Sequence, residues 1–293
     1  MDNGFSKESL WKYAADSRQE FEKVLGDLVE IPSVSGQPEH KADVRRAAEY
    51  AVGLLESFGA KAKLYETGGH PMVYGRFDRS DRLPTVTVYN HLDVQPASMK
   101  KEPWKKEPFE FLKEGDNYLG RGTTDDKGPA LTALLGARAA VEAGVPVNIR
   151  FLWELEEEIG SPHFASFLRE RKRQIPADSV LVSDTIWVAR GIPSIPYGLR
   201  GLLPATLSLQ TARADVHSGV AGGVARNPLL EISELLVRCC DPTTGRVKIP
   251  GFYDGVKKPG ILTRPVFPST HSEISWHISV RGFRAAPPAV PEC

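Results

Sequence analysis

Apolar residues recur at helical spacing across residues 16–30, where Phe21, Val24, Leu25, Leu28 and Val29 share one face. The run stops at Ile31-Pro32-Ser33. A second helix is expected over residues 41–58, with Gly59 as its C-terminal stop. Residues 60–66 then alternate Ala, Lys, Ala, Lys, Leu, the pattern of a half-buried strand. Residues 85–89, TVTVY, are β-branched and apolar, which predicts a buried strand ending at Asn90-His91. A helix should follow Gly128-Pro129, through Leu131, Leu134, Leu135 and Ala139 to Gly144. Residues 147–155 read as another apolar strand. Ser161-Pro162 should open a charged helix to about Gln174, with Ser161 as N-cap and Pro162 in the first helical position. Residues 179–183, SVLVS, read as a further short buried strand.

Strands that alternate with helices imply an α/β fold, a mixed and mostly parallel sheet with helices on both faces. From about Pro196 the texture changes. Residues 205–209 alternate as a strand does, and Asn227-Pro228 should begin a helix running to about Cys239, with Asn227 as N-cap. The chain is therefore divided at 194/195 into an N-terminal domain and a partial α+β domain. From about residue 256 no periodic element is evident, and residues 281–288 read as unstructured.

Composition narrows the classes. Lys plus Arg and Asp plus Glu are both 37, so there is no basic excess of the kind a nucleic-acid binder shows. No apolar run approaches the ~20 residues needed to span a bilayer, and the N-terminus lacks the pattern of a secretory signal. The three cysteines, Cys239, Cys240 and Cys293, have no framework spacing, which points to a reducing, cytoplasmic setting. No nucleic-acid or membrane partner is expected.

The candidate chemistry lies where the strands end. The first strand runs into His91-Leu92-Asp93, the second into Glu156-Glu157-Glu158 and the third into Asp184, while the turn of residues 120–128, GRGTTDDKG, precedes a helix. Taken singly, these are a local hydrogen bond, a solvated turn and a glycine turn. Together they matter, because open α/β sheets bind ligands outside the carboxyl ends of their strands. Carboxylates converging there repel one another unless protons or cations lie between them. Imidazole plus carboxylates, without cysteine, suits zinc or a similar divalent ion. In that reading His91 offers a ring nitrogen to the metal and Asp93 fixes the ring from behind. Asp125 could bridge two ions about 3.5–4 Å apart. Of the adjacent glutamates, one would bind metal and its neighbour act as general base.

These segments resemble the di-zinc aminoacylase/carboxypeptidase family, and within it the dipeptidase branch. The matching stretches are NHLDVQP at 90–96, GRGTTDDKGP at 120–129, ELEEEIGSP at 154–162, SDT at 183–185, GLRG at 198–201 and DVHSGVAGGVARNP at 215–228. The resemblance implies a metallohydrolase with two divalent ions, zinc first and manganese or cobalt as alternatives. It implies His91 and Asp184 as ligands of one ion, Asp125 as the bridge, followed by a cis peptide, and Glu158 as a ligand of the other. Asp93 would orient His91, and Glu157 would be the general base. His217 would lie in a lid domain and reach into a partner subunit's site, which makes a homodimer the expected unit. The substrates implied are dipeptides or small N-acyl amino acids.

The resemblance also implies a longer chain, with a completed lid and a last histidine ligand; His271 and His277 fall in no family motif and are not assigned that role. The expectation is thus a C-terminally truncated dipeptidase. Its rivals are an N-acyl amino acid deacylase of the same family and a non-catalytic chain acting by dimerisation. A nucleotide-binding reading fails, because Gly120-Arg121-Gly122 lacks the rest of a dinucleotide fingerprint.

Overall fold

A computed structural model describes residues 6–184 and 206–256, and the chain separates into two compact units, residues 1–198 and 199–293. The first unit opens with helices α1 (Lys7–Asp16), α2 (Arg18–Val29) and α3 (Lys41–Ser57). Strands β1 (Lys61–Tyr65), β2 (Met72–Phe77) and β3 (Thr85–His91) follow, then a hairpin of β4 (Leu112–Glu114) and β5 (Asn117–Leu119). Helix α4 (Lys127–Glu142), β6 (Asn148–Glu154), α5 (Phe164–Arg171) and β7 (Ser179–Val182) come next.

The sheet order is β1-β2-β6-β3-β7. Strand β3 pairs parallel with β6 and β7, while β2 runs antiparallel to both of its neighbours, so four strands point one way and β2 the other. The period-2 rule sorts the side chains. On one face Val73, Phe77, Phe151 and Trp153 join a core with Leu25, Leu28, Val44, Leu55, Leu131 and Leu134 from α2, α3 and α4. On the other face Tyr65, Met72, Tyr74 and Leu152 pack with Phe167 of α5. Strand β6 is buried along its whole length, including its polar residues Asn148, Arg150 and Glu154.

Several expectations need correction. Ser161 does not cap α5; that helix starts three residues later behind His163, and Ser161 sits at φ 51 with its hydroxyl turned to Glu154. Strand β7 exists but is exposed, with Val180 61% accessible; among the described residues β3 is the one strand that pairs with it. Of the strand expected at 205–209, residue 205 lies outside the described residues, and 206–209 form none. An alternating stretch becomes a strand only beside a partner that takes its backbone hydrogen bonds, and no described strand pairs with it. Strand β2, the hairpin and α1 were not expected. Gly75 in the middle of β2 breaks the sequence pattern for a structural reason: a Cβ there would stand 2.9 Å from Leu55 of α3.

In the second unit, α6 (Ser218–Ala221) is a single turn and α7 is Pro228–Cys239. Helix α7 begins as the sequence predicts, with the Asn227 carboxamide accepting from Leu229 N–H and Pro228 just inside. Both the 198–201 motif and the tail beyond 256 lie outside the described residues. Among the described residues no helix is long and apolar enough to cross a membrane.

One buried cation ties the helices to the site-bearing turn. Lys127, the first residue of α4, is fully buried, and its Nζ donates to the carbonyls of Leu28 (2.8 Å) and Ile31 (2.7 Å) at the end of α2. Burial pushes this ammonium down to about 7, against the attraction of Asp93. Lys127→Met strands two carbonyls while relieving the ammonium's desolvation. The expected net loss, read by urea denaturation, is about 1–3 kcal/mol. A variant as stable as the parent would show that these hydrogen bonds do not hold α2 to α4.

Candidate metal centre

The parallel register builds the site. It sets His91 beside Glu154 and Tyr89 beside Val182, so three carboxyl strand ends finish at one edge with Asp184 two residues beyond β7. His91 is 1% exposed. Its Nδ1 lies 3.0 Å from the Asp93 carbonyl and 3.5 Å from Asp93 Oδ1, so the ring is held from behind chiefly by the backbone. Its Nε2 faces Asp125 Oδ1 at 2.9 Å and Asp184 Oδ2 at 3.9 Å. One ligand atom from each of His91, Asp125 and Asp184 lies within 4.8 Å of the others.

Asp125 arrives on a turn that glycines shape. Gly120 and Gly122 have positive φ (149° and 94°), and a Cβ on Gly122 would stand 2.9 Å from the Lys127 side chain. The Asp125–Asp126 peptide bond is cis. The two acids divide: Asp125 faces the cluster, while Asp126 is buried and accepts from Asn90 Nδ2 (2.7 Å) and the His91 N–H (3.1 Å). Burial raises the Asp126 carboxyl to about 8, although both hydrogen bonds act in the opposite direction. Asp126 therefore sews the turn to the end of β3.

The three glutamates after β6 also part ways. Glu156 is buried and spent on structure, with Oε1 accepting from His70 N–H (2.8 Å) and Oε2 lying 2.8 Å from His163 Nδ1. Glu157 and Glu158 occupy a 3-10 turn whose first two N–H groups both donate to Asp93, to Oδ1 at 3.2 Å and Oδ2 at 3.1 Å. The Ser35 hydroxyl adds a third donor to Asp93, at 2.6 Å. Glu158 Oε2 accepts from Gln95 at 2.7 Å. Neither Glu157 nor Glu158 belongs to the three-residue cluster, but Asp184 and His91 act electrostatically on Glu157, and Asp125 on Glu158.

The electrostatics are those of a cation site. Burial raises Glu157, Glu158 and Asp184, and neighbouring carboxylates raise each further. Burial lowers His91, but the Asp93 hydrogen bond and the charges of Asp93, Asp126 and Asp184 outweigh it and carry the ring up to about 10. The carboxylates around the ring make a negative field that favours a cation, which must displace the imidazole proton to use the ring as a ligand. One nitrogen and two carboxylate oxygens within 4.8 Å of one another form a donor set that suits a divalent ion.

His217 belongs to the second unit, where its Nδ1 accepts from the Gly219 N–H at 3.0 Å. Sequence reasoning missed Ser35, Asp126 and Glu154 as parts of the site. Of these only Asp126 carried a signal, its place in an acid pair that the turn must split.

The model of Peptidase family M20/M25/M40 matches residues 87–292. The chain is 32% identical over 266 residues to the Cys-Gly metallodipeptidase dug1 of Schizosaccharomyces pombe, covering 86% of this chain and 56% of that protein. It is 30% identical to the human Beta-Ala-His dipeptidase, covering 85% and 52%. Among solved structures, the dipeptidase Dug1p of Saccharomyces cerevisiae superposes with a TM-score of 0.70 at 26% identity, covering 90% of this chain and 58% of that one. Human carnosine dipeptidase 1 gives 0.63 at 28% identity, covering 84% and 55%. The chain thus spans about half the length of the curated relatives it matches.

Asp93 is the acceptor on which the site's turns meet. Asp93→Ala leaves the N–H groups of Glu157 and Glu158 and the Ser35 hydroxyl without their partner. It should cost about 2–4 kcal/mol in urea denaturation. Asp93→Asn, which keeps one carbonyl acceptor, should fall between it and the parent. Equal stability of all three would remove Asp93 from this role.

Proposed function

The chain belongs to peptidase family M20/M25/M40, and from that membership we propose that its N-terminal unit carries a two-ion metal site that hydrolyses the peptide bond of dipeptides. The observation that carries the reading is the His91–Asp125–Asp184 cluster at the sheet's carboxyl edge. The dipeptidases among its relatives point to the substrate class.

His91, Asp125 and Asp184 would hold one ion, and Asp125 with Glu158 the other; zinc suits this donor set, with manganese and cobalt as alternatives. A bound divalent ion supplies Lewis acidity, polarising a carbonyl and lowering the pKa of water. Glu157 takes the proton of the attacking water and returns it to the leaving nitrogen. Its carboxyl, raised by burial first and then by Glu158 and Asp184, is better matched to proton transfer near neutral pH than an exposed glutamate. Asp93 keeps the His91 ring in place and aligns the turn that bears Glu157. Hydrolysis by water alone needs no covalent enzyme intermediate.

The second unit is read as part of a lid and dimerisation domain, with residues 1–194 as the catalytic part. Its support is the Asp215-Val216-His217-Ser218-Gly219 motif and the exposed Leu229, Leu230 and Val237 of α7. In that arrangement His217 serves the site of a second copy and stabilises charge on the substrate carbonyl oxygen. A reducing, cytoplasmic setting accords with Cys239 and Cys240 being free thiols.

Elemental analysis of the monodisperse chain should find about two zinc ions per chain, with Asp125→Ala losing them. Glu157→Gln should keep the metal and lower kcat on dipeptides by about 100-fold or more. Little or no bound metal would favour the alternative of a non-catalytic chain that acts, if at all, by dimerisation, which co-purification with a family-length chain would then test. Turnover of acetyl- or succinyl-amino acids but no dipeptide would replace the dipeptidase reading with the deacylase one.

A further inference from the structure

The turn that bears Glu157 and Glu158 is three residues long, Glu157–Ile159, and a segment so short cannot fix its own direction. Its start is held by Asp93. Its end is built in an unusual way. Gly160 (φ 87°) and Ser161 (φ 51°) are consecutive left-handed residues, and Ser161 is the one non-glycine residue with positive φ among the described residues. For an L-residue other than glycine this conformation costs about 1–2 kcal/mol, so something must hold it.

Two hydrogen bonds do. Ser161 N–H donates to the Glu156 carbonyl at 2.8 Å, and the Ser161 hydroxyl donates to Glu154 Oε1 at 3.0 Å. Glu154 is the last residue of β6, lies in register with His91 and is 1% exposed. The Tyr89 hydroxyl donates to the same Oε1, fixing the carboxylate from β3. The Glu154 main-chain carbonyl accepts from Leu92 N–H at 2.9 Å, so the residue is anchored at both ends.

We propose that Glu154, held by Tyr89, is the positioning residue of the double-glutamate turn: its carboxylate locks Ser161 left-handed and so sets where Glu157 and Glu158 present their side chains. This rests on the reading of Glu157 as base and Glu158 as ligand. Glu154 touches neither the substrate nor the ion in this scheme. It acts through the backbone of the turn that Asp93 grips from the other side.

The test compares Glu154→Gln, which keeps an acceptor oxygen for both hydroxyls, with Glu154→Leu, which removes it. Ser161→Gly, which keeps the backbone conformation and loses only the hydrogen bond, is the third variant and decides the matter if Glu154→Leu does not fold. Amide hydrogen exchange is read at residues 157–161 and, as a control, in β2 and β3. In Glu154→Leu the 157 and 158 amides should exchange at least about tenfold faster with the strands unchanged. Glu154→Gln should stay near the parent, and Ser161→Gly should show the same pattern as Glu154→Leu at smaller amplitude. With zinc bound, kcat on a dipeptide should fall by about 10- to 100-fold in Glu154→Leu with KM little changed, and Glu154→Gln should restore it.

Parent-like exchange at 157–161 in Glu154→Leu would overturn the proposal. So would faster exchange spread evenly over β2 and β3, which marks a loss of general stability, or a Glu154→Gln variant as disturbed as Glu154→Leu. A parent chain that takes up no zinc and turns over no dipeptide would sink the functional reading, while the exchange pattern still decides what Glu154 does.

Discussion

Asp93 accepts hydrogen bonds from Ser35, Glu157 and Glu158 with its carboxylate, and its main-chain carbonyl lies 3.0 Å from the His91 ring nitrogen. Three segments distant in sequence therefore meet on one residue that is fully buried. An ionised carboxylate is tolerated inside a protein only when donors surround it, and here the donors are the backbone and hydroxyl groups of the very loops that must be aligned. The cost of burying the charge and the need to order the loops are met by the same contacts. Asp126 repeats the arrangement on the other side of His91, taking the His91 N–H and the Asn90 carboxamide. Between these two inward acids, the outward ones, Asp125 and Asp184, are left facing the ring.

That division accounts for the electrostatics. The chain as a whole is neutral, with 37 basic and 37 acidic side chains. The edge of the sheet is not: burial first, and neighbouring carboxylates after it, raise the carboxyls of Glu157, Glu158 and Asp184, and the His91 imidazole holds its proton strongly. A local excess of negative charge facing one imidazole is the condition in which a cation stabilises the fold and the fold concentrates the cation.

Much of this was legible in the sequence. The apolar runs that became β3 and β6 end abruptly in polar residues, so the positions of His91 and the glutamates at a sheet edge could be read directly, as could the turn carrying Asp125. Strand β2 was hidden because Gly75 interrupts its pattern, and that glycine answers to Leu55 on another element. Ser161-Pro162 looks like a helix start by local rules, yet Glu154 claims the serine hydroxyl first. Ser35, Asp126, Lys127 and Glu154 escaped for a common reason. Their roles depend on partners brought close by the fold, such as Ser35 and Asp93, 58 residues apart, or Lys127 and Leu28, 99 apart. Periodicity reports which face a residue takes; it does not report which distant group will meet it there.

The glutamate triplet has a consequence for how such a chain can diverge. Glu156 turns inward to His70 and His163, while Glu157 and Glu158 stay on the turn that Asp93 holds. The three residues are chemically identical, so composition alone does not distinguish them; only their count from the end of β6 does. Losing Leu155, or gaining one residue beside it, would keep all three glutamates and move each by one place. Substitution is graded at this place, but a change of length is not.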